Sequence, residues 1–386
     1  MRHLCLSVVA VAGLAGAANA QIVLERLATI NLTNITANPI SAKFIGTSGS
    51  AVAWDGRSLW VAGYNNSGGA AGRPVGISKI DDVYGSPSFG DSFGVQSIQS
   101  GRGYRSLAVQ NGRVLSGLEG GTALNDSLAS WDAAVTTPAA PVWGINARVG
   151  WSDFDPGFNA SGAASGAGAG WGTFNTNPSN RALRDAATGT ETHSTATGGS
   201  LGTAPFPGTG PVANPALPRG LDFDPATGDA WGRVNNTVAR AARTGENSFS
   251  AFALVASPNL PAQFPNQEGQ NIEIARGSTF GDLAFFNNRG STAGSQLWSS
   301  VFRAINLAGV AQTISYVNFN PADAANNSIG FFDFSYDAAS NTLAVLSFGD
   351  AGGQSGLKQV HIFAVPTPGA AALLGLGGLV AFRRRR

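Results

Sequence analysis

The stretch Leu107-Ala-Val-Gln-Asn-Gly-Arg-Val-Leu-Ser116 decides the fold class. Two short apolar runs flank Asn111-Gly112, and that dipeptide supplies the two positive φ angles of a type I′ turn, so the stretch predicts a tight β-hairpin. The same grammar recurs in Ala51-Val-Ala-Trp54, Asp55-Gly56-Arg57 and Ser58-Leu-Trp-Val-Ala62, and again in Trp231–Val234, Asn235-Asn236 and Thr237–Arg240. Between residues 21 and 364 no long run of 3.6-residue periodicity interrupts such segments. An all-β body is therefore expected.

Working outward, an apolar strand that ends in an Asp-centred turn repeats at Trp151–Gly157, Gly220–Gly228 and Phe332–Asn341. With Ala51, Leu107 and Asp282 these give module starts near residues 51, 107, 150, 220, 282 and 332. Irregular modules of this size resemble the blades of a β-propeller, about six (six or seven) of four strands each; a β-sandwich or two β-domains is the alternative. The strand Ile22–Leu27 is expected beside Leu357–Phe363, which would remove a free sheet edge. A Gly/Ala/Ser-rich stretch over 157–172 and a Thr/Gly/Pro-rich one over 186–218 predict a flexible surface insertion across 157–218, with a domain linker as the alternative. One short helix is expected inside it, over 179–187.

Composition narrows the class. Only 12% of the 386 residues are charged, about half of the ~25% usual for a soluble domain. The 43% hydrophobic content, with 22 Phe, 8 Trp and 5 Tyr, is enough for a sizeable core and excludes a chain disordered throughout.

Both ends carry addresses. Met1-Arg2-His3, an apolar run from Leu4 and the closing Ala18-Asn19-Ala20 form the charged, hydrophobic and cleavage regions of a secretory signal peptide over 1–20. Cleavage after Ala20 removes Cys5 and Met1, so the mature chain would have no thiol and no disulfide. At the other end Val365-Pro366-Thr367-Pro368 precedes an uncharged Gly369–Phe382 stretch and Arg383, Arg384, Arg385 and Arg386. Those 14 residues would rise about 21 Å as a helix, short of the ~30 Å hydrocarbon core, so only transient membrane contact is expected. The arginines would stay cytoplasmic.

Residues 365–386 resemble the PEP-CTERM sorting domain of exported bacterial proteins, in a Val-Pro-Thr-Pro form of planctomycete type with Thr367 where the family usually has Glu. The resemblance implies processing near Pro366 and Pro368 by an exosortase-like enzyme, after signal peptidase has acted at Ala18 and Ala20. It also implies a secreted or cell-surface body over 21–364, with exopolysaccharide or envelope components as partners.

Without its two ends the chain keeps 19 basic residues against 23 acidic ones, a net charge of about −4. Only three lysines occur, Lys43, Lys79 and Lys358, so nucleic-acid binding is not expected. The two mature histidines, His193 and His361, are too few for a zinc site and read as ordinary exposed or strand-face residues. No nucleophile elbow or phosphate loop is present. The remaining candidates are the carboxylates Asp153 with Asp155, Asp222 with Asp224, and Asp333 with Asp337. On a strand, residues i and i+2 share a face, so Asp222 and Asp224 together would suit Ca²⁺, the one cofactor considered. Turn formation by the same aspartates is the simpler reading. The expected role is non-enzymatic, structural or interactive in the envelope or extracellular matrix; the alternative is a secreted polysaccharide hydrolase or lyase that uses Asp pairs.

Overall fold

The computed structural model describes residues 22–65, 73–98, 102–120, 124–147, 149–155, 169–174, 181–185, 191–194, 220–234, 237–245, 248–250, 252–256, 271–278, 281–286, 289–292, 295–298, 303–319, 329–349 and 358–365. They form an all-β chain of several antiparallel sheets with a single helical turn.

In chain order the elements are β1 (Ile22–Asn31), the turn α1 (Thr33–Thr36), β2 (Ser48–Trp54), β3 (Leu59–Asn65), β4 (Arg73–Asp81), β5 (Ser88–Phe89) and β6 (Phe93–Ile98). Then come β7 (Arg102–Gln110), β8 (Arg113–Glu119), β9 (Leu124–Asp132) and β10 (Trp143–Ala147). A third group is β11 (Val149–Asp155), β12 (Ala169–Phe174), β13 (Arg181–Asp185) and β14 (Glu191–Ser194). The fourth is β15 (Gly220–Phe223), β16 (Ala230–Val234), β17 (Thr237–Ala241), β18 (Arg243–Gly245), β19 (Ser248–Phe249) and β20 (Ala253–Ala256). The fifth is β21 (Ile272–Ser278), β22 (Gly281–Phe286), β23 (Arg289–Thr292), β24 (Ser295–Trp298), β25 (Arg303–Asn306) and β26 (Ala311–Gln312). The last is β27 (Ile314–Val317), β28 (Ile329–Asp337), β29 (Thr342–Gly349) and β30 (Gln359–Ala364).

Three sheets are separate four-stranded meanders, β11-β12-β13-β14, β15-β16-β17-β20 and β21-β22-β25-β26, and a five-stranded sheet runs β27-β1-β30-β29-β28, with β1 parallel to β27. Strands β2 to β10 fuse into one nine-stranded sheet, because the end of β3 (Tyr64, Asn65) pairs with the start of β7 (Gly103, Arg102). The first strands contact one another in sequence: β2 lies against β7, β7 against β11, β11 against β15, β15 against β21, β21 against β28, and β28 against β2.

The strands read as continuous apolar runs because both faces are covered. In β2, Ala51 and Ala53 face one buried cluster, with Trp60, Phe93 and Trp131, while Val52 and Trp54 face another, with Leu346 and Ile362. Likewise Leu283 and Phe285 of β22 join a layer with Phe334 and Phe363, and Ala284 and Phe286 join one with Trp231 and Ile272. The apolar layers thus lie between successive sheets. Trp54, Trp60, Trp131, Trp143 and Trp231 are all core residues, whereas the side chains of Trp151, Trp171 and Trp298 lie outside the described ones.

All three hairpins read from turn chemistry are present, as β2–β3, β7–β8 and β16–β17. Asn111 and Gly112 have φ of 50° and 71°, as a type I′ turn requires. The expected pairing of the N-terminal strand with the C-terminal one occurs as β1 antiparallel to β30, from Glu25↔Ala364 to Asn31↔Gln359.

Two expectations are corrected. Residues 181–185 form β13, paired between β12 and β14, and not the middle of a helix over 179–187. Three paired strands, β12 to β14, thus lie within 157–218, the rest of which is outside the described residues. The fifth module begins at β21 and not near residue 282, which falls in its second strand.

Among the described residues no helix is long and apolar enough to cross a membrane. The signal-peptide residues Ala18 and Ala20 and the tail residues Pro366, Pro368 and Arg383 to Arg386 lie outside the described residues.

Candidate functional site: carboxylates between the first strands

Adjacent first strands are linked to each other by side chains. Between β2 and β7, Ser50 Oγ donates to the Tyr104 carbonyl at 2.7 Å. Between β7 and β11, the Ser152 N–H donates to Ser106 Oγ at 2.8 Å, and the two hydroxyls are also 2.8 Å apart.

From there onward the links are acidic. Asp153 of β11 and Asp222 of β15 share a side-chain hydrogen bond. Asp222 Oδ2 accepts the Ile274 N–H of β21. Glu273 of β21 accepts the Tyr336 N–H of β28. Asp333 of β28 accepts the Val52 N–H of β2 at 2.7 Å and, through its other oxygen, Asn271 Nδ2 at 2.7 Å. The Trp54 N–H of β2 adds a bond of 3.0 Å to Ser335 Oγ of β28.

Each of the four acids lies on a strand and is followed directly by an apolar residue: Asp153-Phe154, Asp222-Phe223, Glu273-Ile274 and Asp333-Phe334. Asp333 is buried, while Asp153, Asp222 and Glu273 keep partial exposure. Burial dominates their chemistry. It pushes Asp222 up to about 6, against the bonds from Asp153, Ile274 and Phe223. Asp153 and Glu273 rise well above the carboxylate range through burial, and then through the neighbouring charge of Asp222. Asp333 rises through burial alone. Asp153 and Asp222 therefore hold one proton between them, Asp153 donating and Asp222 accepting, because two adjacent, partly desolvated carboxylates cannot both ionise cheaply.

The paired aspartates of the sequence separate. Asp224 lies past the end of β15, where it accepts the Ala226 N–H at 2.9 Å and the Thr227 hydroxyl at 2.9 Å and pairs with Arg276. Although burial would raise it, these partners hold Asp224 below its ordinary value. Asp337 accepts the Ser340 N–H at 2.6 Å and caps the β28–β29 turn. The side chain of Asp155 lies outside the described residues. Asp222 and Asp224 thus engage different hydrogen-bond partners. Among the described residues no group of three or more His, Cys, Asp or Glu is arranged to hold a metal ion.

His361 is buried and 3.1 Å from Thr29 Oγ1, packed against Phe319 and Phe363. Burial, then the charge of Arg26, lowers it to about 4, so it is neutral. It is a strand-face residue of β30, as one of the two expected readings had it, and its face is buried; the His193 side chain lies outside the described residues. Glu273 was missed in the sequence because it stands alone. Its signal is the repeated motif of an acid ahead of an apolar residue on the first strand of a module. No protein-family model and no curated protein matches the chain.

Proposed function

We propose that the chain is an exported, non-catalytic β-propeller of six blades with a structural or interaction role at the cell surface or in the extracellular matrix. The succession of first-strand contacts from β2 round to β28 and back to β2 supports the blade count. So does the participation of β1 in the last sheet. Each meander then corresponds to one blade.

The observation that carries the non-catalytic reading is the use of the central acids. Asp222, Glu273 and Asp333 each accept a backbone N–H from the neighbouring first strand, which is a joining role that leaves little capacity for substrate. Asp153 and Asp222 touch, closer than the ~5–5.5 Å of a retaining glycosidase or the ~6.5–9.5 Å of an inverting one. This favours the structural role over polysaccharide cleavage.

Delivery in this reading is by the signal peptide and the PEP-CTERM-like tail, with signal peptidase and an exosortase-type enzyme as processing partners. Replacing Arg383 to Arg386 by glutamine and fractionating cells tests it: the unprocessed protein should accumulate at the membrane. Unchanged surface delivery and processing would overturn the sorting claim.

A further inference from the structure

The layer between the sheets β15-β16-β17-β20 and β21-β22-β25-β26 is apolar along most of its length, built from Trp231, Val238, Ile272, Ile274, Ala284, Phe286 and Ile305. One end of it is different. Arg233 of β16 is completely buried, with its guanidinium 4.5 Å from the centre of the Phe286 ring. Arg303 of β25 is the cross-strand partner of Phe286 and lies within electrostatic reach of Arg233. Burial, then the charge of Arg303, lowers Arg233 to about 9.

Arg303 Nε is buried without a hydrogen-bond acceptor, and so is the indole Nε1 of Trp231, which is 0% exposed and shares a strand face with Arg233 two residues on. The end of this layer is therefore rich in donors and cations. Burying an unpartnered N–H is costly, and an anion that accepts from Arg303 Nε and Trp231 Nε1 relieves that cost at both atoms. Guanidinium forks match carboxylate and phosphate oxygens in particular.

We propose that this end of the layer binds an oxyanion, a carboxylate or phosphate group, held by Arg303 with Arg233 and the Trp231 N–H. Phe286 forms the apolar wall behind it. The proposal does not depend on the role of the carboxylates between the first strands, although Trp231 is the cross-strand partner of Asp222.

The test is thermal unfolding of the full-length protein at pH 7 and constant ionic strength, with chloride replaced stepwise by inorganic phosphate or by acetate. A bound anion raises the midpoint along a saturating curve, whereas a general salt effect rises without saturation. A response to phosphate identifies a tetrahedral ligand, and one to acetate a carboxylate. Arg303→Gln should weaken the apparent affinity about tenfold or more through loss of a charge-assisted pair. Where that variant does not fold, Arg303→Lys keeps the charge, removes the Nε–H and should also bind more weakly. The absence of a saturating response to both anions, or an unchanged response in the variant, would overturn the proposal.

Discussion

At the residue scale, Asp333 is the clearest case of an acid spent on architecture. Asp333→Ala takes one acceptor from the buried Val52 N–H and another from Asn271, at about 1–3 kcal/mol for each group, so a loss on the order of 3 kcal/mol is expected. Asp333→Asn keeps one amide oxygen and should lose roughly half of that, a difference that urea unfolding at pH 7 will resolve.

The same acids set an unusual pH dependence. Asp222 has its folded value raised from 3.8 to about 6, so its contribution to stability is complete below about pH 4 and is lost as the pH rises through 6. Asp153, Glu273 and Asp333 act in the same direction. Asp224 acts oppositely, since its depressed value favours the fold above about pH 4. Asp222→Asn should accordingly flatten the fall in unfolding free energy between pH 4 and 6, measured by urea midpoints across that range. An unchanged slope would mean that Asp222 does not titrate there.

At the element scale, turn chemistry was the legible part and weakly apolar strands were not. Asn111-Gly112 announces its hairpin because few other dipeptides accept two positive φ angles. The strand β21 hides because Glu273 and Arg276 interrupt its apolar pattern, whereas Leu283-Ala-Phe-Phe286 next to it reads plainly. The strands β12 to β14 hide for a different reason, since Gly, Ala and Thr give little hydrophobic contrast along the chain. Asp222 and Asp224 engage different partners because β15 stops at Phe223, and the i, i+2 rule holds only while a strand continues.

Two glycines separate backbone strain from close packing at this scale. Gly112 has φ +71° and nothing within 4 Å of an added Cβ, so Gly112→Ala should cost only about 1 kcal/mol. A Cβ at Gly63 would stand 1.7 Å from the Ile45 carbonyl oxygen, with backbone and not a flexible side chain in the way. Gly63→Ala should therefore destabilise by several times as much, on the order of 3 kcal/mol, as overpacking does in a closed core. Comparable melting temperatures for the two variants would contradict this account.

At the scale of the whole molecule, cohesion depends on the join between β1 and β30, the first and last of the described strands. β1 lies between β30 and β27, and its Ile22 and Leu24 pack in one layer with Phe363 and Val365 while Ile30 packs in another with Val360 and Ile362. Removing residues 22–31 would expose the edge of β30 and strip both layers at once, so the truncated chain should be aggregated or unfolded, as size-exclusion chromatography and circular dichroism would report. A soluble, cooperatively melting truncation would show that the remaining sheets hold without β1.

That join also fixes an order of events. Thr29 meets His361 across 332 positions of sequence, so the first strand made has no partner on that side until nearly the last strand exists. A chain that emerges from its N-terminus can assemble its inner meanders early, each from neighbours only a few residues apart. It must nevertheless carry β1 unpaired on its β30 side through almost the whole of synthesis. Completion of the fold is thus a late, single step, and any fragment that stops before residue 359 is left with an open seam.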